Sequence, residues 1–192
     1  MRDFCFRSKM EAALSWKLTD SEPLVTSRWL RVSRNSYRLP DGKLIEDYYI
    51  VERASFVLVV ASDRESVILV RQYRPATQQY YLSLPAGYVD ESESCEGAAA
   101  RELAEETGID AERYSVIGEL HPLPGYLKSF AYVILCSGLS GDLSVKDTSE
   151  IDSVFRVPWE EALAMIRDGR INEMQAVAAL LLAREIMGHS RG

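Results

Sequence analysis

The chain has 192 residues, 47% hydrophobic and 27% charged, with a formal net charge of −7. That length supports one domain with a sizeable core plus a small appendage, and the acidic balance argues against nucleic acid as the main partner. No apolar run approaches the ~20 residues a membrane helix needs, the opening residues lack the pattern of a secretory signal, and the odd set Cys5, Cys95 and Cys136, without metal-like spacing, suits a reducing cytoplasm.

Residues 1–25 are mixed and polar, with Pro23 as a breaker, and read as a loosely structured lead-in. Residues 29–39 and 44–51 are β-prone and flank Pro40, Asp41, Gly42 and Lys43, which predicts an antiparallel hairpin. A hairpin alone is marginal, so this one is expected to pack on something, and a partner subunit is a candidate. Residues 55–61 (SFVLVVA) are nearly all apolar, as a strand covered on both faces requires. Residues 66–73 (SVILVRQY) predict the next strand, with Arg74 and Pro75 following, and residues 80–84 a short one leading into a glycine turn at Leu84, Pro85, Ala86 and Gly87.

The next segment carries the chemistry. It reads GYVDESESCEGAAARELAEETGI from Gly87 to Ile109. Ser94 is placed to cap a helix, with Glu96 in its first turn, and Gly108 to end it in the left-handed region. At about 100° per residue, Glu102, Glu105 and Glu106 point the same way. Three like charges repel, and Arg101 supplies one positive charge. A bare cluster of this kind is usually a solvated face. Flanked by a glycine loop and defined caps, it matches the all-oxygen ligand set that a hard divalent cation prefers.

Beyond the helix, residues 114–120 and 130–136 predict strands around His121, Pro122, Leu123, Pro124 and Gly125. Residues 137–150 read as a polar loop and residues 154–157 as a short strand. Residues 160–167 and 173–187 have helical spacing, divided by Gly169. Strands interrupted by one helix and closed by C-terminal helices give an α+β or α/β/α sandwich. The charge divides unevenly: residues 1–80 carry 13 Lys and Arg against 10 Asp and Glu, residues 81–192 carry 9 against 19.

The segment from Gly87 resembles the Nudix box, Gly-x5-Glu-x7-Arg-Glu-U-x-Glu-Glu-x-Gly-U with U a bulky aliphatic residue. Gly87, Glu93, Arg101, Glu102, Leu103, Glu105, Glu106, Gly108 and Ile109 fill every specified position. The resemblance implies a Nudix-type α/β/α sandwich with a mixed sheet between helices, plus the N-terminal hairpin region. It divides the chain into residues 1–52, a hairpin and dimerisation region, and residues 53–192, the hydrolase domain. It implies that Glu102, Glu105, Glu106 and the Ala86 carbonyl bind Mg2+, with Mn2+ as the alternative, and that Arg101 pairs with Glu93 to hold loop and helix together. A late-loop glutamate serves as general base in relatives that cleave ADP-ribose. Glu150 is the candidate here and Asp152 the alternative.

Three further features resemble the ADP-ribose and nucleoside-diphosphate-sugar pyrophosphatases. These are Arg71, Gln72, Tyr73, Arg74 and Pro75 before the glycine loop, Pro124 fifteen residues past Ile109 with Gly125 after it, and residues 173–180 as a closing helix. By that likeness Arg53 and Arg74 contact phosphate or the terminal ribose, Trp29 stacks on adenine, and Tyr48 is a second face. Packing within the hairpin is an equal reading for both aromatic residues. The expected activity is metal-dependent hydrolysis of ADP-ribose by a cytoplasmic homodimer. A nucleotide-sugar pyrophosphatase and a non-hydrolysing ADP-ribose sensor are the rivals. Tyr126, Leu127, Lys128 and Ser129 depart from relatives with an acidic residue there, Tyr88 is bulkier than usual, and Gly97 costs ~1 kcal/mol in a helix without a reason visible in the sequence.

Overall fold

The computed structural model describes residues 15–145 and 150–189. Cys5, most of the lead-in, and Thr148 and Ser149 beside Glu150 lie outside the described residues. The chain divides into two compact units. One comprises the described residues through Ala54 together with Leu123–Ser129, and the other comprises Ser55–Pro122 and the described residues from Phe130 onward.

The first unit is a sheet ordered β1-β2-β3-β9: β1 (Lys17–Thr26), β2 (Arg31–Arg38), β3 (Leu44–Glu52) and β9 (Leu127–Lys128). The expected hairpin is the β2–β3 pair. Its turn closes with the Leu39 amide donating to Lys43 O at 2.8 Å and Gly42 at φ +88°. The lead-in differs from expectation, because residues 17–26 form a ten-residue strand paired antiparallel with β2. Pro23 is tolerated there because β1 is the sheet edge and the register slips between Pro23 and Val25. Every residue of β1 is exposed, so no buried face marks it in the sequence.

The second unit holds β4 (Phe56–Ala61), β5 (Ser66–Arg74), β6 (Gln79–Ser83), β7 (Ala86–Tyr88), α1 (Cys95–Thr107), β8 (Asp110–Leu120), β10 (Ala131–Ser140), β11 (Ile151–Pro158), α2 (Trp159–Arg167) and α3 (Met174–His189). Its mixed sheet runs β7-β4-β10-β8, with β4 and β10 parallel and the other pairs antiparallel. A second, antiparallel sheet runs β11-β5-β6.

The period of two along β4 explains the layers. Val57, Val59 and Ala61 pack with Ala98, Ala99 and Leu103 of α1 and with Ile68, while Leu58 and Val60 pack with Trp159, Ala162, Ala176 and Leu180 of α2 and α3. Helices therefore cover both faces of β4, and each alternate residue is buried at ~1.5–3 kcal/mol apiece for a side chain of valine or leucine size. Gly118 in β8 allows a close approach, since a Cβ there would stand 2.6 Å from Leu182 of α3.

Candidate active site

α1 sits against β7 and β4, and its two ends fix its register. Ser94 Oγ accepts the Gly97 amide at 3.0 Å, satisfying a donor that a helix start leaves open. Gly108 closes the helix at φ +72°, donating to Ala104 O. A Cβ at Gly108 would also collide with Ser144 Oγ at 2.3 Å.

Gly87 differs from the expected turn glycine. It lies within the three-residue strand β7, paired with Val57 of β4. Its function is room: a Cβ at residue 87 would lie 1.8 Å from Glu102 Oε1.

The three glutamates of α1 sit in different surroundings. Glu106 is buried, and its Oε2 accepts the Ala86 amide at 3.2 Å. Glu102 is partly buried, and its Oε1 accepts Arg101 Nη1 at 2.6 Å. Glu105 is exposed, with Oε2 3.6 Å from Arg101 Nη1. Burial first, and the Glu102 charge second, push the Glu106 carboxyl up to about 8. Burial also raises Glu102, against the opposing pull of Arg101.

Arg101 ties this face together. Its Nε and Nη2 hold the two Glu93 oxygens at 3.2 and 3.0 Å, and Nη2 also donates to Tyr88 O at 3.0 Å. Such a two-pronged contact fixes orientation as well as charge. The guanidinium holds Glu93 below its usual value, and Glu93 in turn raises Arg101. The Glu93 stem passes Gly97, where a Cβ would approach Glu93 Cγ and Ser94 Oγ at 3.3 Å. Glycine in the first turn of α1 thus leaves space for the path of Glu93 to Arg101.

A second group gathers at the end of β5. Gln72 Nε2 donates to Glu150 Oε2 at 2.8 Å, and Arg74 Nη1 is 3.7 Å from the same oxygen. The Tyr73 amide donates to Glu150 O at 2.9 Å, which fixes the backbone just before β11. Arg74 Nη2 reaches Glu173 Oε1 at 3.4 Å, and Ser83 Oγ donates to Glu173 Oε2. The charges of Arg74 and Glu150 are both felt at Glu106, the first lowering and the second raising its proton affinity. Asp152 is engaged elsewhere, since it accepts from Arg71 Nε at 3.0 Å and from Arg71 Nη2, which holds it below its usual value. Gln72, Ser83 and Glu173 are additions to the residues the sequence singled out. The only signals for them were Gln72 inside the arginine motif and Glu173 at the start of the closing helix.

The remaining candidates belong to the other unit. Trp29 lies in the β1–β2 turn, 59% exposed, with Arg28 over its ring at 4.3 Å. Tyr48 packs edge-on against Trp16 and Tyr37 at 5.6 and 5.5 Å, and its hydroxyl donates to Gly125 O. Pro124 precedes that glycine. Arg53 follows β3, its amide donating to Lys128 O at 3.2 Å.

Among the described residues no group of three His, Cys, Asp or Glu side chains stands arranged to hold a metal. Glu102 is turned to Arg101, and Glu105 is exposed. The donor chemistry nevertheless fits a hard divalent cation. The donors are all oxygen, and a cation here would offset the burial and the Glu102 charge that oppose ionisation of Glu106.

A model of the NUDIX domain matches residues 51–179. The chain belongs to the Nudix family. A model of the nucleoside diphosphate sugar hydrolase N-terminal domain matches residues 16–51. The ADP-ribose pyrophosphatase of Bacillus subtilis (strain 168) is 24% identical over 170 residues, covering 88% of this chain and 92% of that one. The ADP compounds hydrolase NudE of Escherichia coli (strain K12) is 31% identical over 129 residues, 67% of this chain and 69% of that one. A crystal structure of an ADP compounds hydrolase superposes with a TM-score of 0.80 at 25% identity, over 92% of this Nudix chain and 96% of that chain. No described helix is long and apolar enough to cross a membrane.

Proposed function

We propose that this Nudix hydrolase cleaves the pyrophosphate bond of ADP-ribose to AMP and ribose 5-phosphate, with Mg2+ or, alternatively, Mn2+. The observation that carries the reading is the placement of Glu102 and Glu106 of α1 against β7, where Glu106 Oε2 accepts the Ala86 amide at 3.2 Å and Gly87 leaves room for the Glu102 carboxylate. A cation supplied to this face stabilises both. Glu102, Glu105, Glu106 and the Ala86 carbonyl would hold it. When bound, such a cation neutralises diphosphate charge and makes water more acidic.

The chain's own residues do the rest. Arg101 keeps Glu102 and the loop through Glu93 in one arrangement. Arg74 offers its guanidinium to phosphate oxygens, for which a planar fork is suited. Water attacks one phosphorus, the bond from that phosphorus to the bridging oxygen breaks, and the water proton passes to the Glu150 carboxylate. The Glu150 charge is felt at Glu106 on the carboxylate face, which supports this choice of base, and the two-pronged hold of Arg71 on Asp152 argues against the alternative. Trp29, Tyr48 and Arg53 keep the substrate-binding roles that the resemblance implies, and Pro124 and Gly125 are assigned to substrate binding with them. The same reading makes residues 1–52 a dimerisation region and 53–192 the hydrolase domain of a cytoplasmic homodimer. The exposed edge strand β1 supports that assembly.

The match of residues 16–51 to an N-terminal domain of nucleoside diphosphate sugar hydrolases favours a second reading, in which the substrate is a UDP- or GDP-sugar. A panel of ADP-ribose, UDP-glucose, GDP-mannose and diadenosine polyphosphates, ranked by kcat/KM, tests both. ADP-ribose is expected to lead. A nucleotide sugar in first place would replace it, and binding of ADP-ribose without any product would make the protein a sensor.

A further inference from the structure

Arg74 divides its two terminal nitrogens between two carboxylates. Nη2 lies 3.4 Å from Glu173 Oε1, and Nη1 lies 3.7 Å from Glu150 Oε2. Neither contact is a close two-pronged pair of the kind Arg101 makes with Glu93. The two partners also differ in how firmly they are held. Glu173 is anchored at its other oxygen by Ser83, which is 1% exposed, and its carbonyl accepts the Val177 amide at 3.0 Å as α3 begins. The side chain of Glu150 is mostly exposed.

We propose that Glu173 is a positioning residue that holds Arg74 by Nη2, leaving Nη1 to exchange from Glu150 to a substrate phosphate. The proposal rests on the reading of Arg74 as a phosphate contact. Two charges at one guanidinium compete through distance and charge. The Glu150 contact is the longer and more exposed, so a diphosphate displaces it first. A guanidinium left with Glu173 keeps its place at the site, and Glu150 stays held at Oε2 by Gln72. The Glu173 carboxylate thereby acts at the substrate without touching it.

The test is a double-mutant cycle on the full chain with E173Q, R74A and the pair. It reads the metal-free dissociation constant for ADP-ribose by calorimetry, together with KM and kcat in Mg2+. E173Q is expected to weaken binding and raise KM by ~10-fold, the scale of one charge-assisted hydrogen bond, with a smaller effect on kcat. In the R74A background E173Q is expected to add no further loss. S83A, which loosens the anchor and keeps the charge, is expected to move KM the same way by less. Equal losses from E173Q in both backgrounds overturn the proposal alone. Normal ADP-ribose affinity in R74A overturns it together with the reading of Arg74 beneath it.

Discussion

Gly87 and Glu102 compete for one volume: a Cβ at residue 87 would fall 1.8 Å from Glu102 Oε1 and 2.0 Å from its Cδ. The clash is with the far end of a side chain, so Gly87→Ala is expected to fold, with Glu102 displaced. Melting temperature should change little. Activity should fall by ~100-fold, the size of effect that a misplacement of about 1 Å produces. A G87A enzyme with normal kcat/KM would show that the placement of Glu102 is irrelevant to turnover.

Glu106 gives a pH dependence with a definite sign. Its carboxyl is pushed from 4.5 to about 8 by burial and by Glu102. Between those values the folded metal-free protein binds the proton and the unfolded chain does not. This contribution is therefore fully present at low pH and is lost as pH rises from about 4.5 to about 8. Metal-free E106Q, which cannot ionise, is expected to gain stability over the parent progressively from pH 5 to pH 8 in urea melts. The same substitution is expected to cost at least ~100-fold in kcat with Mg2+. A stability difference that does not vary with pH would contradict the buried-carboxylate argument.

Glu150 and Asp152 are two residues apart and separable by experiment. Glu150→Gln is expected to lower kcat by ~100-fold or more, the range for loss of a general base, with metal affinity nearly unchanged. Asp152→Asn breaks the Arg71 pair at the β5–β11 edge and is expected to leave kcat within a few-fold of the parent, since exposed pairs are worth ~0–1 kcal/mol. A reversed order in steady-state kinetics would move the base to Asp152.

Legibility in the sequence followed the range of the interactions. β4 and β5 were readable because burial on both faces demands continuous apolar runs. The ends of α1 were readable because Ser94 and Gly108 act within a few residues of themselves. β1 was not, since a fully exposed edge strand containing Pro23 carries no buried period and exists by pairing with β2. β7 and β9 are three and two residues long and are defined by distant partners in β4 and β3. At the site, the three glutamates could be placed on one helical face, yet their unequal burial could not be read from spacing. The grouping of Arg74 with Glu150 and Glu173 joins β5 to residues 76 and 99 positions onward, a relationship no local pattern encodes. The reason for Gly97 is the path of Glu93 beside it, which helix propensity does not encode.

The proposed activity is cleavage of the ADP-ribose diphosphate bond through a divalent cation held at the carboxylate face of α1. The most direct measurement is product identification after incubating the purified protein with ADP-ribose, in Mg2+ and in excess chelator. AMP and ribose 5-phosphate are expected in equal amounts with Mg2+, and neither with chelator. Intact ADP-ribose in both arms, or the same products at the same rate in both, would contradict it.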